Sequence, residues 1–165
     1  MTRTRSDVRV VSCRCGQVAL EAEGKPIVAT ICACSSCRDA ARQLEALPGA
    51  APILNKDGGT PFVLFRKDRV HCLRGDTDLG EHRLNLKSPT RRVVATCCNT
   101  AMFLDFTKGH WVSLYAARMP HGDPTRAYNR NSGVFVSRLL VAWAAMAFKT
   151  PKIDYVKGRI DEHNG

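Results

Sequence analysis

A mainly β fold with two helices is what this sequence predicts, and three features predict it. Short runs of β-branched and aromatic residues recur between clusters of Gly, Pro, Asn and Asp. Helical spacing occurs in only two stretches, one beginning near Cys37 and one running from about Val134 to Phe148. Of the eight cysteines, all but Cys72 fall into three tight groups, Cys13-Cys15, Cys32-Cys34-Cys37 and Cys97-Cys98. At 165 residues the chain is near the commonest size of one domain, about 100 to 150 residues. With 44% hydrophobic residues it can bury a core, so disulfide staples are not needed for folding.

The elements follow in order. Gln17 to Ala22 alternates, and Ile27 to Cys32 is a β-rich run after the turn Gly24-Lys25-Pro26. A hairpin of these two strands would bring the first and second cysteine groups together. Ser36 reads as an N-cap with Asp39 three residues on, and Ala40, Ala41, Leu44 and Leu47 keep helical spacing until Pro48-Gly49. Cys37 is thus expected at a helix start, where the positive dipole end favours a thiolate. After Asp57-Gly58-Gly59, strands are expected at Phe62 to Arg66, Arg69 to Leu73, Gly80 to Leu86, Arg91 to Thr96, Met102 to Phe106 and His110 to Ala116. Turn residues separate most of them, the pattern of antiparallel sheets. Met119 to Gly133 reads as a long loop, Val134 to Phe148 as a helix stopped by Pro151, and Asp161 to Gly165 as a frayed tail.

Charge and hydropathy narrow the function classes. No apolar stretch follows the polar N-terminus, so a secretory signal is not expected and a reducing, cytoplasmic setting is. The other reading, a secreted disulfide protein with its signal removed, is disfavoured by the pair Cys97-Cys98, since vicinal bridges are strained. The most apolar segment, Val134 to Phe148, contains Arg138 and is short of the roughly 20 residues that cross a bilayer, so no membrane partner is expected. It reads instead as a helix that is buried or that pairs with a second subunit. The net charge of +10 would attract nucleic acid, anionic lipid or an acidic small molecule. That charge is spread out, with short clusters at 66–69 and 87–92, and only 7% of residues are aromatic, so nucleic acid is not favoured.

The cysteine spacing points to metal. Zinc takes four soft ligands in a tetrahedron, and C-x-C or C-x-x-C pieces let one turn supply two of them. Gly16 gives the backbone freedom such a turn needs. Seven thiols exceed one tetrahedral site, so two ions are inferred. Cys13, Cys15, Cys97 and Cys98 would form a closed structural site, and Cys32, Cys34 and Cys37 a site with an open fourth position. Four thiolates suit iron as well. The plainer reading of every one of these cysteines is a metal staple without chemistry. Cys72 stands alone and reads as a small buried hydrophobe. The histidines lack metal-site spacing; His110 or His121 would enter the open site from a loop, or else be exposed or hydrogen-bonded.

Three motifs, Cys13-Arg14-Cys15-Gly16, Cys32-Ala33-Cys34-Ser35-Ser36-Cys37-Arg38 and Cys97-Cys98-Asn99-Thr100, resemble the glutathione-dependent formaldehyde-activating enzyme (GFA) and centromere protein V family. The resemblance covers roughly Val8 to Phe106 and implies an Mss4-like fold of zinc-pinned antiparallel sheets. Residues 8–118 are read as a GFA-like zinc-binding domain, and 119–165, which the resemblance does not reach, as a loop, apolar helix and tail packed on the same domain. The resemblance also implies a carbon-sulfur lyase activity joining formaldehyde to glutathione. Cys32, Cys34 and Cys37 would hold the functional zinc, Cys13 and Cys15 with the late pair the structural one, and the thiol of glutathione would be the fourth ligand. Arg38 follows the triplet as in the family and is a candidate for holding an anionic substrate; its other reading is a helix-surface arginine. The late motif departs from the family's C-x-x-C-G. Ala95 falls where the first cysteine belongs, and Cys97 can replace it only if a tight turn aims both neighbours at one point. Such a branch can keep the fold and lose the reaction, so the rival class is a non-catalytic zinc module that binds nucleic acid or protein through its basic surface.

Overall fold

The computed structural model describes residues 7–120 and 127–163. His121 lies outside the described residues. Strands β1 (Val8–Ser12) and β2 (Ala19–Glu23) form a hairpin, and β5 (Val70–Arg74) pairs with β2 to complete a three-stranded antiparallel sheet. The larger sheet has seven strands. It contains β3 (Val28–Cys32), β4 (Thr60–Arg66), β6 (Leu79–His82), β7 (Thr90–Ala95), β8 (Thr100–Phe106), β9 (Trp111–Tyr115) and β10 (Gly158–Arg159), in the order β10-β6-β7-β8-β9-β4-β3. Every pair in it is antiparallel except β10 with β6. Helix α1 spans Ser35–Glu45, α2 Gly133–Ala145, and the short α3 Ile160–His163. The fold is mainly β with a helix after the cysteine triplet and another near the C-terminus. Among the described residues no helix is long and apolar enough to cross a membrane.

Alternation along β4 explains the two cores. Val63 and Phe65 face the three-stranded sheet, where they join Val11, Val18, Leu20 and Val70; Phe62 and Leu64 point the other way, toward Val28, Tyr115 and Phe135. Full burial of each such side chain contributes roughly 1.5 to 3 kcal/mol. The second core also contains Cys32 and Cys37, so the triplet is seated on packed apolar side chains rather than on a free loop.

Four local expectations are corrected. Strands β2 and β3 do not pair with each other; β2 is held between β1 and β5 while β3 pairs with β4, so the first two cysteine groups stay apart. Ser36 is not the N-cap of α1. Cys34 occupies that position in extended backbone, with no side-chain cap, and Asp39 pairs with Arg42 at 3.0 Å instead of reaching back. The strand expected to run to Leu86 ends at His82, because Asn85 folds the chain back through bonds from the Lys87 and Ser88 amides. Helix α2 stops three residues short of Phe148. Ala147 and Phe148 are both left-handed, with φ of 51° and 58°, and the Phe148 amide caps the Trp143 carbonyl at 2.9 Å. Residues Val136, Leu140, Val141 and Phe148 of this region are exposed, while Phe135, Ala142 and Met146 are buried.

An ion network lies inside the larger sheet. Lys67 Nζ meets Asp105 Oδ1 at 2.8 Å, both side chains being 1% exposed, and Arg91 Nε donates to Asp105 Oδ2 at 2.9 Å. Arg91 continues to Glu81 at 3.1 Å and to the Ile153 carbonyl at 2.8 Å, tying the C-terminal segment to β7. Burial raises the Glu81 carboxyl, but hydrogen bonds and charge from Arg83 and Arg91 outweigh it and hold the group below its ordinary value of 4.5. A lowered carboxyl contributes stability that is complete above 4.5 and lost as pH falls through the folded value. Urea midpoints of the wild type should therefore drop more steeply below pH 4.5 than those of Glu81→Gln; parallel curves would contradict the assignment.

Candidate metal centre

Two hairpin turns from different sheets build the first cysteine cluster. The turn between β1 and β2 carries Cys13 and Cys15, and Gly16, with φ of 79°, lets its amide return to the Cys13 carbonyl at 3.1 Å. The Val18 amide donates to Cys13 Sγ at 3.3 Å, satisfying the sulfur from the backbone. The turn between β7 and β8 carries Cys97 and Cys98. Asn99 there is left-handed at φ 51°, a conformation asparagine tolerates better than most residues, and its side chain donates to the Pro48 carbonyl at 2.9 Å. That is the tight turn the adjacent cysteines require. Both sulfurs end beside Cys13 and Cys15, so the late pair serves one cluster despite the missing cysteine at Ala95.

The four sulfurs lie within 4.8 Å of one another. Individual separations are 3.6 Å for Cys13 and Cys15, 3.8 Å for Cys13 and Cys97, 3.3 Å for Cys15 and Cys97, and 3.9 Å for Cys97 and Cys98. Disulfides need about 2.05 Å, and all eight cysteines are free. With metal–sulfur bonds of about 2.3 Å, the edge of a tetrahedron is about 3.8 Å, so the spacing fits a closed four-thiolate site. Thr100 supports it: its hydroxyl lies 3.0 Å from Cys98 Sγ and accepts from the Arg14 amide at 3.3 Å. Burial pushes Cys98 up, yet hydrogen bonds from Thr100, the Cys15 backbone, Cys15 and Cys13 bring it to about 6. Burial raises Cys13 and Cys97.

The second cluster sits where β3 runs into α1. Cys32 ends β3, Cys34 is the N-cap of α1 and Cys37 lies in its first turn, and the three sulfurs again lie within 4.8 Å. Cys32 and Cys34 are 3.3 Å apart. Cys32 and Cys37 are pushed in opposite directions. Hydrogen bonding from Cys37 is the largest cause, and it outweighs burial to leave Cys32 near 4 while Cys37 is pushed up. Three sulfurs offer one face of a tetrahedron, and a bound cation would deprotonate them all.

A cavity of about 310 Å³ opens on this cluster. It is lined by Cys32, Cys34 and Cys37, by apolar side chains of β4, β8 and β9, and by Arg92 and Arg130. Arg130 was not legible from sequence. It belongs to the loop before α2, which docks beside β3 through the Tyr128 amide on the Ala29 carbonyl at 2.9 Å and Thr30 Oγ1 on the Tyr128 carbonyl at 2.8 Å. That docking carries Arg130 Nη1 to 3.1 Å from Cys32 Sγ, across 98 positions of sequence. Arg38 is turned elsewhere: its Nε donates to the Gly58 carbonyl at 3.2 Å, and it does not line the cavity. His110 is buried against Trp143 with Nε2 2.9 Å from the Leu139 carbonyl, in neither cysteine cluster. Cys72 is half-buried on β5 and also outside both.

Comparison with curated proteins gives no match. A solved structure of a Rhodobacter sphaeroides protein is similar at 16% identity, over 70% of this chain and 91% of its own, with a TM-score of 0.49. Residues 8–52, which carry Cys13, Cys15, Cys32, Cys34 and Cys37, match the model of the family described as Glutathione-dependent formaldehyde-activating enzyme, so the resemblance read from the cysteine motifs is shown for that segment.

Proposed function

We propose that this chain binds two zinc ions and handles adducts between a small thiol, glutathione among them, and a small aldehyde, as a carbon-sulfur lyase of the GFA type. The observation that carries this reading is the contrast between a closed cluster of four sulfurs and a cluster of three facing a cavity. Cys13, Cys15, Cys97 and Cys98 would hold a structural ion; Cys32, Cys34 and Cys37 would hold one with a free position. When bound there, zinc would supply the Lewis acidity that keeps a fourth, exogenous thiol ionised at neutral pH.

The protein's own groups have three tasks in this reading. The triplet fixes where the exogenous sulfur sits, because β3 and the first turn of α1 hold all three ligands on the second core. Arg130 offsets the negative charge that builds up on Cys32 and its neighbours. The apolar cavity wall limits water beside the reacting sulfur. Addition then needs no redox partner: the thiolate sulfur bonds to the carbonyl carbon, the π pair moves to oxygen, and that oxygen takes a proton. Thiol plus aldehyde gives the hemithioacetal, the S-hydroxymethyl adduct when the aldehyde is formaldehyde, and the reverse releases both.

Two experiments test the reading together. Zinc analysis with titration by glutathione should show a thiol-dependent change at one of two metal sites. Cys34→Ala should lose about one zinc per chain and that thiol response, while keeping the fold by circular dichroism. Two zincs lost, or an unchanged thiol response, would contradict the partition. If no thiol perturbs either metal and the protein instead binds nucleic acid with strong salt dependence, the rival class, a non-catalytic module with a basic surface, is the correct one.

A further inference from the structure

The cavity beside the triplet has a composition that a freely solvated tripeptide does not match. Away from the sulfurs, the apolar side chains Phe62, Leu64, Leu104, Phe106, Trp111 and Phe135 form much of its wall. Thr30 and Ser36 line it too, but the Thr30 hydroxyl is committed to the Tyr128 carbonyl and the Ser36 hydroxyl lies 3.3 Å from Cys34 Sγ, leaving chiefly Thr90 and Ser113 as neutral polar points. A ligand body filled with amides and charges would lose its hydration here with too few replacement partners. At about 310 Å³ the space is at the small end of small-molecule pockets.

Arg92 is the second observation. It is 2% exposed and lines the cavity, and its Nη2 donates to the Ser36 carbonyl at 3.1 Å. No carboxylate pairs with it among the described residues. The other buried arginine among the described residues, Arg91 on the neighbouring position of β7, is compensated, since it faces both Asp105 and Glu81. Three thiolates with a divalent ion carry one net negative charge, and Arg130 stands against it at Cys32. Arg92 has no carboxylate facing it in this buried wall, and a buried guanidinium without a facing anion is costly unless a ligand supplies one.

We propose that the cavity takes a thiol with a compact aromatic or apolar body and one carboxylate, the sulfur directed to the Cys32, Cys34 and Cys37 cluster and the carboxylate to Arg92. The proposal rests on the open-site reading above. It differs from that reading in selecting a carboxylated apolar thiol over glutathione, which brings two carboxylates, an ammonium and two amides to six apolar side chains. On binding, the S–H proton leaves to solvent and no electron is transferred.

Calorimetric titration of the zinc-loaded full chain tests it with four probes: 3-(mercaptomethyl)benzoate, 4-(mercaptomethyl)benzoate, benzyl mercaptan and glutathione. At least one benzoate should bind about tenfold or more tightly than benzyl mercaptan, as expected for a charge-assisted bond to guanidinium, and more tightly than glutathione. Arg92→Met should abolish the difference between benzoate and benzyl mercaptan while leaving benzyl mercaptan binding in place. If that variant does not fold, the ratio in the wild-type protein still decides. Equal affinities for benzoates and benzyl mercaptan, or glutathione as the tightest probe, would overturn the proposal and leave the open site standing. No heat with any thiol would overturn the open site as well.

Discussion

Cys15→Ala should unfold the protein or lower its melting temperature by about 10 °C or more, the largest single-residue effect expected outside the buried core. The residue is exposed, and exposed substitutions ordinarily fall within about 0.5 kcal/mol of neutral. Its sulfur, however, lies 3.3 Å from Cys97 and 3.6 Å from Cys13, and the cluster joins the β1–β2 turn of one sheet to the β7–β8 turn of the other. Structural zinc in small domains contributes on the order of 10 to 16 kcal/mol, comparable to the whole stability of a domain, so forfeiting one of four ligands costs several kcal/mol. Cys72→Ala is the matched control. It removes a half-buried thiol outside both clusters and should cost no more than about 1 to 2 kcal/mol. Thermal denaturation of both variants, with and without a chelator, checks the pair; equal small shifts would mean that no ion bridges the two sheets.

The second large effect is expected at Asp105. Its carboxylate alone stands between Lys67 and Arg91, at 2.8 and 2.9 Å, in a region where Lys67 is 1% exposed. Asp105→Ala leaves two buried cations with one fewer counter-charge and should cost about 3 to 5 kcal/mol, or roughly 6 to 20 °C in melting temperature. Arg42→Ala breaks an ion pair of similar length, 3.0 Å, but both partners are exposed, and it should cost at most about 0.5 kcal/mol. Urea denaturation of the two variants separates burial from mere pairing. Similar losses in both would show that the interior network does not depend on its carboxylate.

The sequence made local patterns legible and left most long-range placements hidden. Short β-rich runs bounded by turn residues located most of the larger sheet, because each strand there is a brief apolar stretch between chain reversals. The cysteine groups could be divided by spacing because C-x-C and C-x-x-C have few geometric uses. Pairing was another matter. The turn at Gly24-Lys25-Pro26 looked like a hairpin, yet β2 finds β1 and β5, and nothing local to the turn encodes that choice. β1 itself was overlooked. Its short run, Val8–Ser12, sits beside a charged N-terminal stretch and exposes Val8 and Val10, so its hydrophobic signal is weak. At the candidate site the three sulfurs were visible and their surroundings were not. Arg130 reaches Cys32 only because Tyr128 docks on the edge of β3, and Arg92 turns inward only because β7 lies beside the start of α1. Arg38, adjacent to the triplet in sequence, points away because one step along a helix rotates a side chain by about 100°.

The central claim is that seven sulfurs form two distinct metal–thiolate sites, one with four protein ligands and one with three. Zinc K-edge absorption on the full chain, combined with elemental analysis, tests it most directly. The account predicts two zinc ions per chain, in a first shell dominated by sulfur at about 2.3 Å, with a light-atom contribution that thiol addition replaces by sulfur. Folded protein that carries no zinc and keeps seven reactive thiols, or a shell built mainly from nitrogen and oxygen, would contradict it.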